Sequence, residues 1–391
     1  MKNKFLLSCH GRFHYFEIAK ILYKNDQLSQ IVSGYPWFKL KNENLPKNKV
    51  TTVAFGIFTI LAALSGKISP VIFKKLIQIL SNIRSFYIDK RSSNFLENSD
   101  IFLALSGGGL ETGKLFKKRN KIYICERSSA HISEQNEILR EEYKKYNISF
   151  NIDPHAIDRE LQEYKEATFI LIPSEFCKNS FSKQKIYNTE VIPYAANLDK
   201  FYPLPKSKSK KTFDILYIGA LSLQKGLPYL LDAFNNFNHP NKRLHIIGSK
   251  TADTVLFKNK LNFKNIKVYG HIPNNQLVKF INQSDIFAIA SIQDGYSVVV
   301  SQVAACGLPS IVTSNTGAAD AVSKHNYGFV VPPFSSYAIT EKLYEIADKK
   351  DLLNQLSINA IKASSINTWE NFVNSLNEKI KKYKNNIIIS Y

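Results

Sequence analysis

Ile215-Leu-Tyr-Ile-Gly219-Ala-Leu-Ser-Leu-Gln-Lys225-Gly226 is the stretch of sequence that decides the fold. A short apolar run ends at Gly219 and an amphipathic helical pattern begins near Gly226, so the stretch predicts a strand, a short loop and a helix. The first turn of a helix presents unpaired N–H groups and a positive dipole end, which suit a phosphate. Lys225 adds a full positive charge there. The alternative is that Lys225 is an exposed surface lysine in a strand-to-helix loop.

The same alternation of apolar, β-branched runs with helical patterns continues through both halves of the chain. The strands predicted in the first half are Phe5–Ser8, Gln30–Ser33, Ile101–Leu105, Ile122–Cys125, Phe169–Ile172 and Val191–Pro193. Those predicted in the second half are Asp214–Ile218, Leu244–Ile247, Ile266–Tyr269, Asp285–Ala290, Ser310–Thr313 and Gly328–Val331. Near-continuous apolar strands between helices indicate parallel sheets that are covered on both faces. The sequence therefore predicts an α/β protein with two doubly wound, Rossmann-like domains.

The chain of 391 residues is longer than a single hydrophobic core usually serves. Residues 198–212 are rich in Pro, Lys and Ser and have no periodicity, which is typical of a linker. We therefore expect an N-terminal domain over residues 1–197 and a C-terminal domain over residues 213–368. An amphipathic helical pattern follows Trp369, and a helix over about residues 369–391 could pack on either domain, including back on the first.

Charge and composition limit the classes of partner. The net charge is +20, and residues 1–125 contain 20 Lys and Arg against 7 Asp and Glu, which gives +13. Such a field favours nucleic acid, anionic lipid or phosphorylated substrates. The apolar run Val53–Leu64 is shorter than the roughly 20 residues of a membrane-spanning helix. The start of the chain does not read as a signal peptide, and the four cysteines have no metal-binding spacing. We expect buried, reduced thiols and a cytoplasmic protein.

A second constellation follows the predicted strand Asp285–Ala290 and reads Asp294-Gly-Tyr-Ser-Val-Val-Val-Ser-Gln302-Val-Ala-Ala-Cys-Gly307-Leu-Pro309. The apolar pattern predicts a buried helix that stops at Gly307. Gln302 then lies on a buried helix, and a buried amide requires partners, which are either ligand hydroxyl groups or a neighbouring backbone. The loop Ser314-Asn-Thr-Gly317-Ala comes after the next strand, at the carboxyl edge where open α/β sheets bind ligands.

These blocks, in this order and spacing, resemble the family-four retaining glycosyltransferases, which have the GT-B fold. That family carries G-x-L-x-x-x-K-G, then E-G-[FY]-G-x-x-x-x-E followed by A-x-G-x-P. The segments Ile172–Phe181 and Val191–Pro203 are similar to the family's interdomain segment, and Glu126-Arg-Ser-Ser-Ala-His131 is similar to the block that bears its active-site histidine. The resemblance implies two domains that face each other across a cleft.

The resemblance also implies roles for individual residues. Lys225 would contact the diphosphate of a nucleotide-sugar donor, Asp294 the sugar hydroxyls and Gln302 the ribose, while His131 would lie over the reacting sugar. The donor-binding positions it implies are Gly219, Lys225, Gly295, Tyr296, Ser297, Val298 and Gln302. The loop Cys9-His10-Gly11-Arg12-Phe13-His14 would lie at the cleft, with Gly11 and Arg12 as its candidate residues; surface positions are the alternative for its side chains.

The sequence departs from the family pattern at three positions. Asp294 and Gln302 stand where the family has glutamates, and Ala220 stands where an arginine is often found. Gln302 can still bind a ribose diol, but without charge assistance. The missing arginine weakens diphosphate binding or moves it to another cation.

The function that the resemblance implies is transfer of a hexose from a nucleotide-sugar to a glycan or a lipid-linked acceptor in surface polysaccharide synthesis, with retained anomeric configuration. No metal is expected, because no Asp-x-Asp occurs, and no cofactor is expected beyond the donor. The basic N-terminal domain would face the acceptor, and the protein would be peripheral on the inner face of the membrane. Two alternatives of the same fold are a catalytically impaired sugar-nucleotide-binding protein and a sugar-nucleotide epimerase. No nucleic-acid-binding module is evident, so nucleic acid is not an expected partner.

A further stretch, Gly108-Gly-Leu-Glu-Thr-Gly113-Lys114, nearly spells a phosphate-binding loop. The next residue is Leu115, where that motif needs Ser or Thr for magnesium. We therefore interpret it as a glycine turn that packs a helix on its sheet, with ATP hydrolysis as the lesser alternative.

Overall fold

The computed structural model describes residues 2–53, 70–205, 212–347 and 349–389. Two parallel β-sheets, each between layers of helices, account for most of the described chain, which confirms the predicted α/β class. The central strands of each sheet are buried on both faces, as their near-continuous apolar runs require, whereas the edge strands are partly exposed. The predicted apolar run after Val53 falls on residues 54–64, which lie outside the described residues.

The N-terminal sheet has seven parallel strands in the order β3-β2-β1-β4-β5-β6-β7. The strands are β1 (Phe5–Cys9), β2 (Leu28–Ser33), β3 (Val50–Thr52), β4 (Ile101–Leu105), β5 (Ile122–Glu126), β6 (Phe169–Ile172) and β7 (Thr189–Val191). Strand β3 was not predicted, because three residues at a sheet edge carry too little pattern. The last strand lies two residues earlier than predicted, since Pro193 has no N–H to give to a ladder.

The C-terminal sheet has six parallel strands in the order β10-β9-β8-β11-β12-β13. The strands are β8 (Phe213–Ile218), β9 (Lys242–Ile247), β10 (Ile266–Gly270), β11 (Ile286–Ile289), β12 (Ser310–Thr313) and β13 (Gly328–Val331). The chain order reverses between β8 and β11 here, and between β1 and β4 in the first sheet. Such switch points open a crevice at the carboxyl ends of the strands, where this class of sheet binds ligands.

The helices connect successive strands and cover both faces of each sheet. In the N-terminal part they are α1 (Tyr15–Lys24), α2 (Trp37–Leu40), α3 (Pro70–Ser92), α4 (Leu110–Lys118), α5 (Ile132–Lys144), α6 (Pro154–Glu166) and α7 (Glu175–Lys183). In the C-terminal part they are α8 (Leu227–Asn236), α9 (Asn274–Gln283), α10 (Val298–Ala305), α11 (Ala319–Lys324), α12 (Ser336–Ala347) and α13 (Lys350–Ile366), and the last helix is α14 (Trp369–Ile389). Within the described ranges, no helix is both long and apolar enough to cross a bilayer.

Helix α14 returns to the N-terminal domain and packs against α1. Its Tyr383 ring stacks on Phe169 of β6 at a centroid distance of 4.6 Å. The Lys384 ammonium donates to the Asn3 side chain at 2.6 Å. The chain therefore crosses between the domains twice, once before β8 and once before Trp369. Of the predicted linker, residues 206–211 lie outside the described residues.

Candidate functional site

The first element of the site is the start of helix α8. Gly226 caps this helix with a φ of 61°, a left-handed conformation that glycine adopts most readily. A side chain at this position would overlap the carbonyl oxygen of Ala290, at the end of β11. Gly226 thus lets the loop that begins at Gly219 lie directly against the neighbouring strand at the switch point. Lys225 is carried to the same place.

Lys225 forms an ion pair with Asp294, the residue predicted to hold the sugar. The two side chains are 24% and 12% exposed, so the pair is partly accessible but largely desolvated. The structure therefore brings together Lys225, which the resemblance implies contacts the diphosphate, and Asp294, which it implies contacts the sugar hydroxyls. In this arrangement they neutralise each other, and an anion that enters the crevice has to compete with Asp294 for Lys225.

The loop between β11 and α10 is held on one side by the loop after β12. The Asp294 N–H donates to the Asn315 carbonyl at 3.0 Å, and the Gly317 N–H donates to the Asp294 carbonyl at 2.9 Å. Ser297 caps α10 with a φ of 62°. The predicted ligand loop at Ser314–Ala318 thus supports the Asp294 backbone rather than standing apart from it.

The other side of the loop is covered by the N-terminal domain. A side chain on Gly295 would overlap the Ser128 carbonyl, and the Ser174 hydroxyl donates to the Gly295 carbonyl at 2.8 Å. Gln293 also donates to the Ser129 hydroxyl at 2.5 Å. The sequence analysis predicted that Gly295 contacts the donor. In this conformation the backbone of residues 128–129 occupies the space beside Gly295. The domains are closed over the site.

Tyr296 and Val298 point in different directions. The Tyr296 ring is buried at the domain junction, where it packs edge-on against Tyr194 at 5.4 Å. Its hydroxyl accepts from Ser301 and from Asn367, at 3.3 and 3.2 Å. Only the backbone of Tyr296 is therefore near the predicted donor position, whereas the half-buried Val298 side chain lines a cavity described below.

The structure does not bring His131 to the cleft, contrary to the prediction. The side chain is 1% exposed, and its ring packs edge-on against Phe181 at 5.0 Å. His131 is the N-cap of α5, because its Nδ1 accepts from the Ser133 N–H at 3.3 Å. Burial, together with the positive charge of Arg127, lowers the pKa of His131 to about 4. The cap and this packing hold the ring inside the N-terminal domain.

A cavity of about 330 Å³ lies between the carboxyl edges of the two sheets. Its C-terminal wall includes Gln302, Val298 and Asn274, and its N-terminal wall includes Arg12 and His14. The expectation of a fully buried Gln302 is wrong, because the side chain is half-buried and faces this space. Among the described residues no hydrogen-bond partner is found for the Gln302 amide, so the amide is available to a ligand. The volume lies at the lower end of the range for small-molecule sites, about 300–1,000 Å³.

Of the candidate residues of the first loop, Arg12 lines this cavity, whereas Gly11 does not. The Gly11 carbonyl accepts from the Ser33 hydroxyl at 2.8 Å, which ties the loop to the end of β2. Arg12 is half-exposed and pairs with Glu43, and Lys20 lies 3.4 Å from the same carboxylate. Arg12 is therefore a second cation at the cleft, besides Lys225.

His14 and Glu126 form a pair that sequence reasoning missed. His14 Nε2 lies 2.5 Å from Glu126 Oε1, with side chains 8% and 0% exposed. Tyr194 also donates to the Glu126 carboxylate. Burial alone would raise the pKa of Glu126, but His14 beside it and the hydrogen bonds it receives hold this pKa below its usual value. The two residues are far apart in the sequence, and nothing in either local pattern signals the contact.

The glycine turn that resembles a phosphate-binding loop is already filled. The Glu163 carboxylate of α6 accepts from the Gly109 N–H at 2.8 Å and from the Gly107 N–H. Arg159 donates to the Gly107 carbonyl at 2.8 Å. Burial raises the pKa of Glu163 to about 8. A carboxylate of the protein thus occupies the position that a phosphate would take, as the interpretation of a structural turn requires.

Metal-binding geometry is not part of the described site. In residues 2–53, 70–205, 212–347 and 349–389 no group of three or more His, Cys, Asp or Glu is placed to hold a metal ion. All four cysteines are buried free thiols, as predicted.

Two Rossmann-like domains whose carboxyl edges face each other across the Lys225–Asp294 pair define the GT-B fold. Residues 202–363 match the family described as glycosyl transferases group 1. The C-terminal part of the chain therefore matches the family that the motifs had indicated.

Solved structures agree over the whole chain. The sucrose-phosphate synthase of Thermosynechococcus elongatus superposes with a TM-score of 0.71 and 15% identity, covering 98% of this chain and 99% of the other. Anabaena HepE in complex with UDP superposes with a TM-score of 0.67 and 14% identity, covering 98% and 100%. At these identities the likeness concerns the fold.

Two relatives known by sequence match about half of the chain. A Bacillus subtilis (strain 168) glycosyltransferase assigned to teichuronic acid biosynthesis, TuaC, is 24% identical over 206 residues, 49% of this chain and 51% of its own length. The capsular polysaccharide biosynthesis glycosyltransferase CapM of Staphylococcus aureus is 25% identical over 181 residues, 44% and 47% of the two lengths. The chain thus spans about half the length of these two relatives.

Proposed function

We propose that the protein is a glycosyltransferase that moves a hexose from a nucleotide-sugar to a glycan or lipid-linked acceptor. The observation that carries the proposal is the contact between Lys225 and Asp294 at the switch point of the second sheet. It sets a cation for a diphosphate beside a carboxylate for sugar hydroxyls, and the starts of α8 and α10 face the same crevice.

The donor would bind by exchange of partners. A diphosphate carries two negative groups, so it displaces Asp294 from Lys225 and takes the helix starts as further donors. The released carboxylate then accepts hydrogen bonds from the hydroxyls of the transferring sugar. The half-buried Gln302 amide, one helical turn beyond Val298, binds the ribose.

The transfer itself would retain the anomeric configuration. The bond from the anomeric carbon to the diphosphate oxygen breaks, and the acceptor oxygen bonds to that carbon on the same face. The electron pair leaves with the diphosphate, whose oxygen takes the acceptor proton. No metal is needed in this scheme, because Lys225 and the helix starts neutralise the leaving group.

UDP-sugars are the first donors to try. Anabaena HepE, which has the same fold, is known in complex with UDP and with UDP-glucose. TuaC and CapM carry names from teichuronic acid and capsular polysaccharide biosynthesis, which supports an envelope or capsule polysaccharide as the product. The excess of Lys and Arg in residues 1–125 supports an acceptor at an anionic membrane surface.

A catalytically impaired sugar-nucleotide-binding protein is the second candidate. It is favoured by the replacement of two expected charged groups by Gln302 and Ala220. Such a protein would bind the donor without consuming it, whereas an enzyme would release the nucleoside diphosphate.

The test begins with thermal shift of the purified protein against UDP-, GDP-, ADP- and dTDP-hexoses. We expect one base to raise the unfolding temperature. Release of the nucleoside diphosphate is then followed with candidate acceptors, with and without EDTA, and we expect release in both. No shift with any nucleotide would contradict both candidate functions; a shift without release under any condition would favour the binding protein.

A further inference from the structure

We propose that His14 reads the ribose of the donor from the N-terminal domain, and that the buried carboxylate of Glu126 fixes the proton on its ring for this purpose. The inference rests on the proposed nucleotide-sugar function. It adds two residues to the ribose-binding part of the site, to which Gln302 belongs. His14 would determine specificity, and Glu126 would position His14.

The His14 ring is held in one orientation. It stacks on Trp369 with an interplanar angle of 3° at 5.7 Å, and Tyr194 lies 4.1 Å from it on centroids. Its Nε2 contacts Glu126 at the end of β5. Although His14 is the N-cap residue of α1, its side chain makes no capping hydrogen bond. The ring is therefore positioned by the cluster around it and not by the helix.

The partner of Nε2 decides where the proton lies. Tyr194 donates to the same Glu126 oxygen that His14 Nε2 contacts, so we take this oxygen as a hydrogen-bond acceptor for both groups. Nε2 therefore carries a hydrogen, and in the neutral imidazole Nδ1 carries the lone pair. Within the described part of the chain Nδ1 has no hydrogen-bond partner. A second-neighbour carboxylate that fixes a histidine tautomer is a frequent arrangement at functional sites.

Nδ1 and the Gln302 amide share one cavity. Both His14 and Gln302 line the space of about 330 Å³ between the domains, with Arg12 at its N-terminal wall. Nδ1 can accept one hydrogen bond, and the amide can both donate and accept, so together they match two adjacent hydroxyl groups. The cations of this cavity, Arg12 and Lys200, are already paired with carboxylates, so the cavity suits a neutral diol such as that of a ribose. The hexose of the donor also has adjacent hydroxyls, and the experiment separates the two sources.

The experiment compares binding of UDP, ADP and GDP with binding of their 2′-deoxy forms by calorimetry. A site that hydrogen-bonds a hydroxyl rejects the analogue that lacks it. We expect the wild type to bind the best ribonucleotide about tenfold more tightly than its 2′-deoxy form, and His14→Phe to reduce that ratio to about twofold, as for loss of one hydrogen bond. Phenylalanine keeps a ring between Tyr194 and Trp369. The double variant His14→Phe/Glu126→Gln removes the unpaired buried charge and is expected to give the same reduced ratio.

Glu126→Gln alone tests the positioning role. An amide offers Nε2 both a donor and an acceptor, so the ring hydrogen is no longer fixed on Nε2, and we expect the ribose preference to fall while the unfolding temperature changes little. Long-range ¹H–¹⁵N spectra are expected to show the hydrogen of His14 on Nε2 in the wild type. His10 is a neighbouring histidine that does not line this cavity, so His10→Asn is the control and is expected to keep the preference for the ribonucleotide.

The outcomes are distinct. A wild type without ribose preference, or a His14→Phe variant that weakens the ribo and deoxy forms equally, overturns the inference and leaves the proposed function standing. A His14→Phe variant that loses affinity only for intact nucleotide-sugars, and not for the free diphosphates, assigns the contact to the hexose and also overturns it. Binding of no nucleotide at all removes the proposed function itself.

Discussion

Replacing Asp294 by asparagine is expected to tighten the binding of a nucleoside diphosphate while it slows sugar transfer. In the unliganded protein Asp294 holds Lys225 as an ion pair, so a diphosphate has to displace a carboxylate before it can use the lysine. Asparagine is nearly isosteric but uncharged, and it leaves Lys225 free. The two effects have opposite signs, which few single substitutions at a binding site produce.

The magnitude follows from the burial of the pair. Side-chain exposures of 24% and 12% place the charges where an effective dielectric constant of about 20 applies, so attraction at 4 Å is about 4 kcal/mol. Desolvation offsets part of this, and a charge-assisted hydrogen bond contributes about 1.5–3 kcal/mol net. In Asp294→Asn, Lys225 no longer has to leave a carboxylate, so most of this free energy contributes to diphosphate binding. We expect UDP affinity to increase by about 1–2 kcal/mol, or roughly 5- to 30-fold.

Calorimetry with UDP, or with the nucleotide that binds best, measures the effect at low and constant salt. Lys225→Met is the matched variant and is expected to weaken binding by about 1–3 kcal/mol. In the Lys225→Met background the gain from Asp294→Asn should shrink, because there is no lysine left to release; the double-mutant cycle gives the coupling directly. Unchanged or weaker UDP binding by Asp294→Asn, with Lys225 intact, would refute the exchange of partners.

Other parts of the structure give further expectations. The pKa of His131, lowered to about 4 by burial, means that the unfolded chain binds more protons between pH 6.5 and 4, so stability falls as the pH is lowered from 6.5 to 4, by at most about 3 kcal/mol. His131→Asn keeps a cap for Ser133 and should flatten the fall in urea unfolding at pH 7 and 4.5; an unchanged slope would contradict this. Gln302→Ala should raise the donor KM about threefold or more with little change in kcat, as for a contact made equally in ground and transition states; steady-state kinetics in which only kcat falls would place Gln302 elsewhere. Flotation with anionic liposomes should show binding through residues 1–125 that fades with salt, and equal binding to neutral liposomes would point to apolar contacts.

The sequence was sufficient for the architecture because parallel strands leave a strong local pattern. Apolar runs such as Ile101–Leu105 and Phe169–Ile172 are strands with the predicted bounds. The contact between Lys225 and Asp294 was also within reach, since each follows a strand at the point where the sheet order reverses. Where pattern and topology act together, sequence reasoning reaches the geometry of the site.

The directions of individual side chains could not be predicted from the sequence. Whether His131 faces the cleft or caps its own helix depends on the packing of Phe181 and Tyr164, which no local spacing encodes. The glycine turn looked like a phosphate loop because its partner, Glu163, comes from a helix far along the chain. His14 and Glu126 likewise meet only because β1 and β5 both pair with β4. Each of these features depends on long-range packing.

The return of helix α14 to the first domain has a consequence for biosynthesis. Residues 213–366, with the whole second sheet, are in effect an insertion between two parts of the N-terminal domain. During synthesis the sheet of the first domain can form early. The surface of α1 that α14 covers stays exposed until Trp369–Ile389 has left the ribosome. The inserted domain is complete before its host. Removing the last helix would accordingly expose Phe169 and one face of α1, which belong to the N-terminal domain although the deleted residues are at the C-terminus.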